Sequence, residues 1–179
     1  MALKATVHKA ELSVSDLDRH YYQDHSLTLA RHPSETNERM MVRLLAFALN
    51  AGERLEFGKG LSNEEEPALW QKSLSGEIEL WIDVGQPDER RLRKACGQSR
   101  QVKVYCYGER SSQLWWQQNE AALSRLANLS VIGLTVPDID RLVERTMKLQ
   151  CTVEGGDAWL SSESMQCEAK IESWLSHQR

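Results

Sequence analysis

At 179 residues the chain can bury roughly 70% of its unfolded surface, so it needs neither disulfide nor metal to fold, and one domain spanning residues 1–179 is expected. Charged residues, at 27%, interrupt every apolar run; this excludes a membrane-spanning helix and the apolar core of a signal peptide, so the expectation is a cytoplasmic protein with no membrane partner. The net charge of −4 argues against a protein that coats nucleic acid indiscriminately, because such binding rests on phosphate neutralisation by Lys and Arg, but it leaves room for a local basic patch.

Residues 3–14 and 20–31 read as two strands of an opening hairpin around the turn-prone Ser15-Asp16-Leu17-Asp18. His32-Pro33-Ser34 then starts a helix over 35–50, with apolar residues at helical spacing and Ala51-Gly52 at its end. Residues 53–58 are a candidate strand, and 62–72 read as an acidic loop with a helical turn, closed by Gly76. Ile78, Leu80, Ile82 and Val84 alternate with Glu79, Trp81 and Asp83, a strand signature. A helix from Gly85-Gln86-Pro87-Asp88 to about Gln98 and a strand over 101–107 complete a βαβ unit, so these two strands should be parallel. A helix over 111–126, a strand over 129–136 and a short helix from Pro137-Asp138 to about Met147 follow. Residues 148–154, 158–161 and 165–171 read as short antiparallel strands around Gly155-Gly156-Asp157 and Glu163-Ser164. The predicted fold class is mixed α/β with a βαβ unit, an N-terminal hairpin and C-terminal antiparallel strands. Four cysteines, at 96, 106, 151 and 167, form no C-x-x-C pair and read as reduced core thiols.

A crossover helix on the aliphatic faces of the two parallel strands would leave Glu79, Trp81 and Asp83 beside Gln101, Lys103 and Tyr105 on the other face. The helix over 35–50 is the natural cover, with Met41, Val42, Leu45 and Leu49 as its apolar stripe and Glu38 one turn earlier. Glu38, Glu79 and Asp83 are therefore expected to converge. Carboxylates held together repel one another, a cost that a cation offsets, and magnesium is the expected ion because it takes oxygen ligands and can activate a bound water against a phosphodiester. Glu38, Glu79 and Asp83 would ligate the metal, Lys103 would position the water, and Gln101 would stand behind them. Arg90, Arg91, Lys94 and Arg100, in a stretch without an acid from 90 to 103, are candidate phosphate contacts. The alternative is a solvated strand face, a Glu38–Arg43 pair and a solvated helix. His32 is a candidate general base or a loop residue with a satisfied hydrogen bond. Trp115 or Trp116 could stack on bases or fill the core.

The runs Ala2-Leu3-Lys4-Ala5-Thr6, Leu27–Thr36 with Glu38-Arg39-Met40-Met41, Leu80-Trp81-Ile82-Asp83-Val84-Gly85 with Pro87–Arg91, Trp115–Asn119 and Asn128-Leu129-Ser130-Val131 closely resemble the bacterial YaeQ family. The resemblance runs end to end. It implies a fold similar to a variant of the restriction-endonuclease-like PD-(D/E)xK nucleases, in a family of unknown biochemical function. In those nucleases a helix acid joins a strand acid and a D/E-x-K tripeptide. Here Glu38 matches the helix acid, with Glu79 and Asp83 as strand acids, but Glu79-Leu80-Trp81 has Trp where the motif needs Lys, so Lys103 or Lys94 would have to reach in. Two functions are implied: a magnesium-dependent nuclease, or a catalytically inactive relative that binds nucleic acid or a protein partner.

Overall fold

Alternation at the start of the chain closes into a long antiparallel hairpin, β1 (Thr6–Asp16) and β2 (Tyr21–Arg31), in register from Thr6 opposite Arg31 to Asp16 opposite Tyr21. The computed structural model describes residues 4–59 and 64–177. The chain groups into two compact units, Met1–Ala51 with Val136–Lys170, and Gly52–Thr135 with Ile171–Arg179. Among the described residues there are ten strands and three α-helices, a mixed α/β fold.

In the first unit the hairpin is joined by β8 (Thr146–Glu154), β9 (Asp157–Ser161) and the part of β10 (Gln166–Leu175) up to Lys170, in the order β2-β1-β8-β9-β10. The C-terminal strands are antiparallel as predicted, turning at Gly155 and Gly156, whose φ values of 62° and 83° suit a two-residue primed turn. β1 also pairs with β8 in parallel, so Ala10, Leu12 and Val14 lie beside Met147, Leu149 and Cys151 on one buried face. Helix α1 (Asn37–Asn50) packs on β1, β2 and β8; it begins at Thr36, whose Oγ1 accepts the Arg39 amide at 3.1 Å. The helix predicted to reach Met147 is only a 3-10 turn at Ile139–Leu142. The Lys9 amide donates to the Arg145 carbonyl at 3.0 Å and starts the pairing of β1 with β8, so Met147 becomes the first inward residue of a strand.

The second unit carries β3 (Leu55–Phe57), β4 (Leu69–Lys72), β5 (Ile78–Val84), α2 (Glu89–Gln98), β6 (Ser99–Cys106), α3 (Glu109–Leu123) and β7 (Leu129–Thr135), with strand order β7-β6-β5-β4-β3. β5, β6 and β7 run parallel, so the predicted βαβ unit is present, while β3, β4 and β5 are antiparallel. The acidic loop predicted at 62–72 lies partly outside the described residues, and its described end is the strand β4. The helices cover a different face of β5 from the one predicted. Register sets Trp81 beside Val102 and Asp83 beside Val104, and Trp81, Val102, Val104, Cys106, Leu129 and Val131 form the core with Leu92, Ala95, Trp115 and Leu123. Both faces of β5 carry apolar side chains, and burying the large Trp81 indole decides which one the helices take. All four cysteines are free thiols; burial pushes Cys106 and Cys151 up to about 12 and Cys96 to about 11, so they are inert core groups.

Candidate functional site

Strict alternation would put Glu79 and Asp83 on the same face, and a β-bulge separates them. Gln71 pairs with Leu80 and the next residue of β4, Lys72, with Ile78, so Glu79 is an extra residue on β5. Its carboxylate accepts from Gln71 Nε2 at 2.8 Å and from Arg54 at 3.0 Å, and these two bonds hold its pKa below the ordinary carboxylate value. Asp83 stays on the helix-covered face, 4% exposed, with Arg91 Nε and Nη2 donating to its two oxygens at 2.9 and 3.1 Å. Burial works against the Arg91 charge, but the Asp83 bond and charge outweigh it and the guanidinium pKa is raised.

Arg91 is also fixed by the carbonyls of Glu64 and Glu66, at 2.7 and 3.1 Å, so its donors are committed within the protein. Lys94 lies 3.4 Å from Glu65, Arg100 3.2 Å from Glu77, and Arg93 pairs with Glu89. Arg90 is exposed on α2. The basic stretch is thus answered by nearby acids rather than gathered into one patch.

Glu38 belongs to the first unit and is exposed on the first turn of α1. The buried acid of that region is Glu35, 4% exposed and paired with Arg39 and with Arg43 Nε and Nη2, so Arg43 is engaged by Glu35. Among the described residues no three His, Cys, Asp or Glu side chains are placed to hold a metal ion. A magnesium site needs several oxygens of unbalanced negative charge. Asp83 and Glu79 are each matched by an arginine, so the three-acid set does not fit magnesium.

His32 is a loop residue whose Nδ1 accepts the Ser34 amide at 3.1 Å and lies 2.6 Å from Ser34 Oγ. Trp115 is buried with its indole N–H donating to the Pro87 carbonyl at 3.0 Å. Trp116 stacks on Trp174 at 6.3 Å between ring centroids.

Glu79 opens instead onto a cleft of about 660 Å³ in the second unit, which Gln71, Leu80, Arg100, Gln101, Lys103, Asn128, Ser130 and His177 also line. The cleft follows from sheet register. Gln71, Leu80 and Gln101 form one row across β4, β5 and β6, and Lys103 lies beside Ser130 on β7. Lys103, Gln101 and Glu79 therefore do meet, without Asp83. Gln71, Asn128 and Ser130 carry no mark in the sequence, because Gln71 sits in a strand hidden behind an acidic stretch and the others flank or enter β7 as ordinary polar residues. Asn128 is fixed in place, its Nδ2 donating to the Cys96 and Ser99 carbonyls, each at 2.9 Å.

The chain matches the family described as YaeQ protein over residues 1–171. It is 48% identical over 177 residues to the uncharacterized YaeQ proteins of Escherichia coli (strain K12) and Salmonella typhi, covering 97% of this chain and 98% of each relative. Among solved structures it is similar to the YaeQ protein from Xanthomonas axonopodis pv. citri, with TM-score 0.93 and 46% identity over 96% of this chain and 99% of that one. It is also similar to the YaeQ protein from Pseudomonas syringae, with TM-score 0.89 and 36% identity over 96% and 97% of the two chains. With fold and sequence matched end to end, the chain belongs to the YaeQ family.

Proposed function

We propose that the cleft of the second unit is a binding site for nucleic acid and that the protein acts as a binding module on a nuclease-like scaffold. One observation carries this reading: Lys103 and Arg100 line a polar cleft whose carboxylate, Glu79, is already matched by Arg54. The cations draw phosphate, and Gln71, Gln101 and Asn128 offer amide donors and acceptors to sugar or base. The test is fluorescence anisotropy with short single-stranded DNA and RNA. Lys103→Ala and Arg100→Ala should each weaken binding by roughly tenfold, the worth of a hydrogen bond to a charged group. Equal affinity in both variants and the wild type would remove the cleft from the function.

Hydrolysis at the same cleft is the second reading, favoured by the shared wall of Glu79 and Lys103, a strand acid with a lysine from the neighbouring strand. This is the arrangement that the resemblance to PD-(D/E)xK nucleases calls for, with Lys103 supplying what position 81 lacks. Incubation of labelled DNA and RNA with magnesium or manganese tests it. Cleavage that Glu79→Gln abolishes would make the protein a nuclease, and intact substrates would leave the binding module.

A further inference from the structure

We infer that Glu79 reads the ribose 2′-hydroxyl of a bound strand, so that the cleft selects RNA over DNA, an inference that rests on the cleft being the nucleic-acid site. The first observation is how the carboxylate is held. Gln71 Nε2 donates to one of its oxygens at 2.8 Å and Arg54 Nη1 to the other at 3.0 Å, and the same Arg54 nitrogen is tied to the Lys72 carbonyl at 2.9 Å. These are the only hydrogen-bond partners of Glu79 among the described residues. A carboxylate offers about four lone-pair sites, so each oxygen keeps acceptor capacity unused. The side chain lines the cleft and is 22% exposed, so a ligand there meets an acceptor already fixed in place.

The second is what such a group can accept. The Gln71 bond, and after it the Arg54 bond, hold the Glu79 pKa below the ordinary carboxylate value, so at neutral pH the group is ionised and only accepts. A phosphodiester has no hydrogen to give it and is repelled by its charge. The donors on a nucleic acid are the ribose 2′-hydroxyl and the N–H groups of the bases. The hydroxyl sits on the carbon next to one that bears a phosphate, on every nucleotide of RNA and on none of DNA.

The third decides between sugar and base. Proteins that hold single strands by their bases stack them on aromatic rings, and among the described residues lining the cleft there is no Trp, Tyr or Phe. Gln71, Gln101 and Ser130 supply hydrogen-bonding groups without a stacking platform, and Arg100 adds a cation. This is equipment for holding sugar and phosphate. In that company a fixed carboxylate only weakens binding unless a donor on the sugar meets it.

The experiment measures anisotropy with the full chain and one uridine octanucleotide in three forms, ribo, 2′-deoxy and 2′-fluoro, in a chelator that withholds any metal needed for cleavage. The 2′-fluoro form keeps the sugar pucker of RNA but has no hydroxyl hydrogen. The ribo form should bind at least roughly tenfold more tightly than the other two, the worth of a hydrogen bond to a charged group. Glu79→Gln, which keeps the shape and removes the charge, should narrow the gap to roughly threefold, as for a bond between neutral groups, and Glu79→Ala should close it. The gap is read between forms within each variant, so a general loss of affinity does not imitate the effect, and far-UV circular dichroism checks that both variants fold. If the wild type binds all three forms alike and Arg100→Ala weakens them equally, the selection of ribose is overturned while the cleft remains the binding site. A preference for the ribo form that survives in Glu79→Ala, or a 2′-fluoro form that binds as tightly as the ribo form, overturns it as well, the latter by showing that pucker is read and not the hydroxyl. If no form binds, or binding ignores Arg100→Ala and Lys103→Ala, the cleft reading falls and this inference with it.

Discussion

Asp83 is buried with both oxygens on Arg91, so removing that guanidinium would leave a charge stranded away from water. Arg91→Ala is expected to cost about 3 kcal/mol, the lower end for breaking a buried pair because Arg91 is 28% exposed, and urea denaturation measures it. Arg100→Ala, on a surface pair, should change stability by less than about 0.5 kcal/mol. These opposite outcomes separate a structural arginine from a binding one, a distinction invisible in sequence, where both are members of one basic run. His25 carries the second residue-scale expectation. Its Nε2 lies 2.8 Å from the Tyr21 hydroxyl and its ring packs edge-on against Phe47 at 5.1 Å; burial lowers its pKa, with Asp24 opposing. The unfolded chain therefore takes up the proton more readily, and His25 should weaken stability as pH falls below about 6.5, the ordinary histidine value, while costing nothing well above it. His25→Gln should flatten the acid limb of a stability–pH curve, and an unchanged limb would show that other groups set it.

At the scale of elements, Gly133 on β7 lies against the Trp174 indole so closely that an added Cβ would fall 2.4 Å from the ring. Gly133→Ala should displace Trp174 from its stack on Trp116, destabilise by about 1–3 kcal/mol as overpacking does, and change near-UV circular dichroism. Elements with strong local signals were legible in the sequence. The opening hairpin, the helix ending at Asn50, the strand at Ile78–Val84 with its βαβ partner, and the closing antiparallel strands all appear where periodicity and punctuation place them. Three features were not. β4 is four residues behind Glu64-Glu65-Glu66-Pro67 and exists because β5 pairs with it. The parallel partnership of β1 and β8 joins residues more than 130 apart, beyond any local pattern. The bulge at Glu79 arises only when two strands of unequal spacing meet, and it moves one carboxylate to the cleft while the other stays on Arg91. The set of Glu79, Gln101 and Lys103 could be named from sequence, and their separation from Asp83 could not.

For the whole molecule, a net charge of −4 and dispersed arginines set how binding should respond to salt. Two phosphate-contacting cations, at about −0.7 each for a single strand, give a slope of roughly −1.4 in log K against log salt, where the six basic residues between 90 and 103 acting together would give roughly −4. Anisotropy titrations between roughly 50 and 200 mM salt separate the two slopes. The pairing of β1 with β8 also has a consequence on the ribosome. Residues 52–135 form most of the second unit as one continuous segment, whereas the N-terminal hairpin is made first and must wait for Thr146–Glu154 to emerge. During that interval the inner edge of β1 has no partner from its own chain, the condition in which strands recruit other chains. Ribosome-bound chains arrested before Thr146 should therefore be cut by protease within residues 6–31 and protected at β5 and β6, with the hairpin becoming resistant only once β8 has been synthesised.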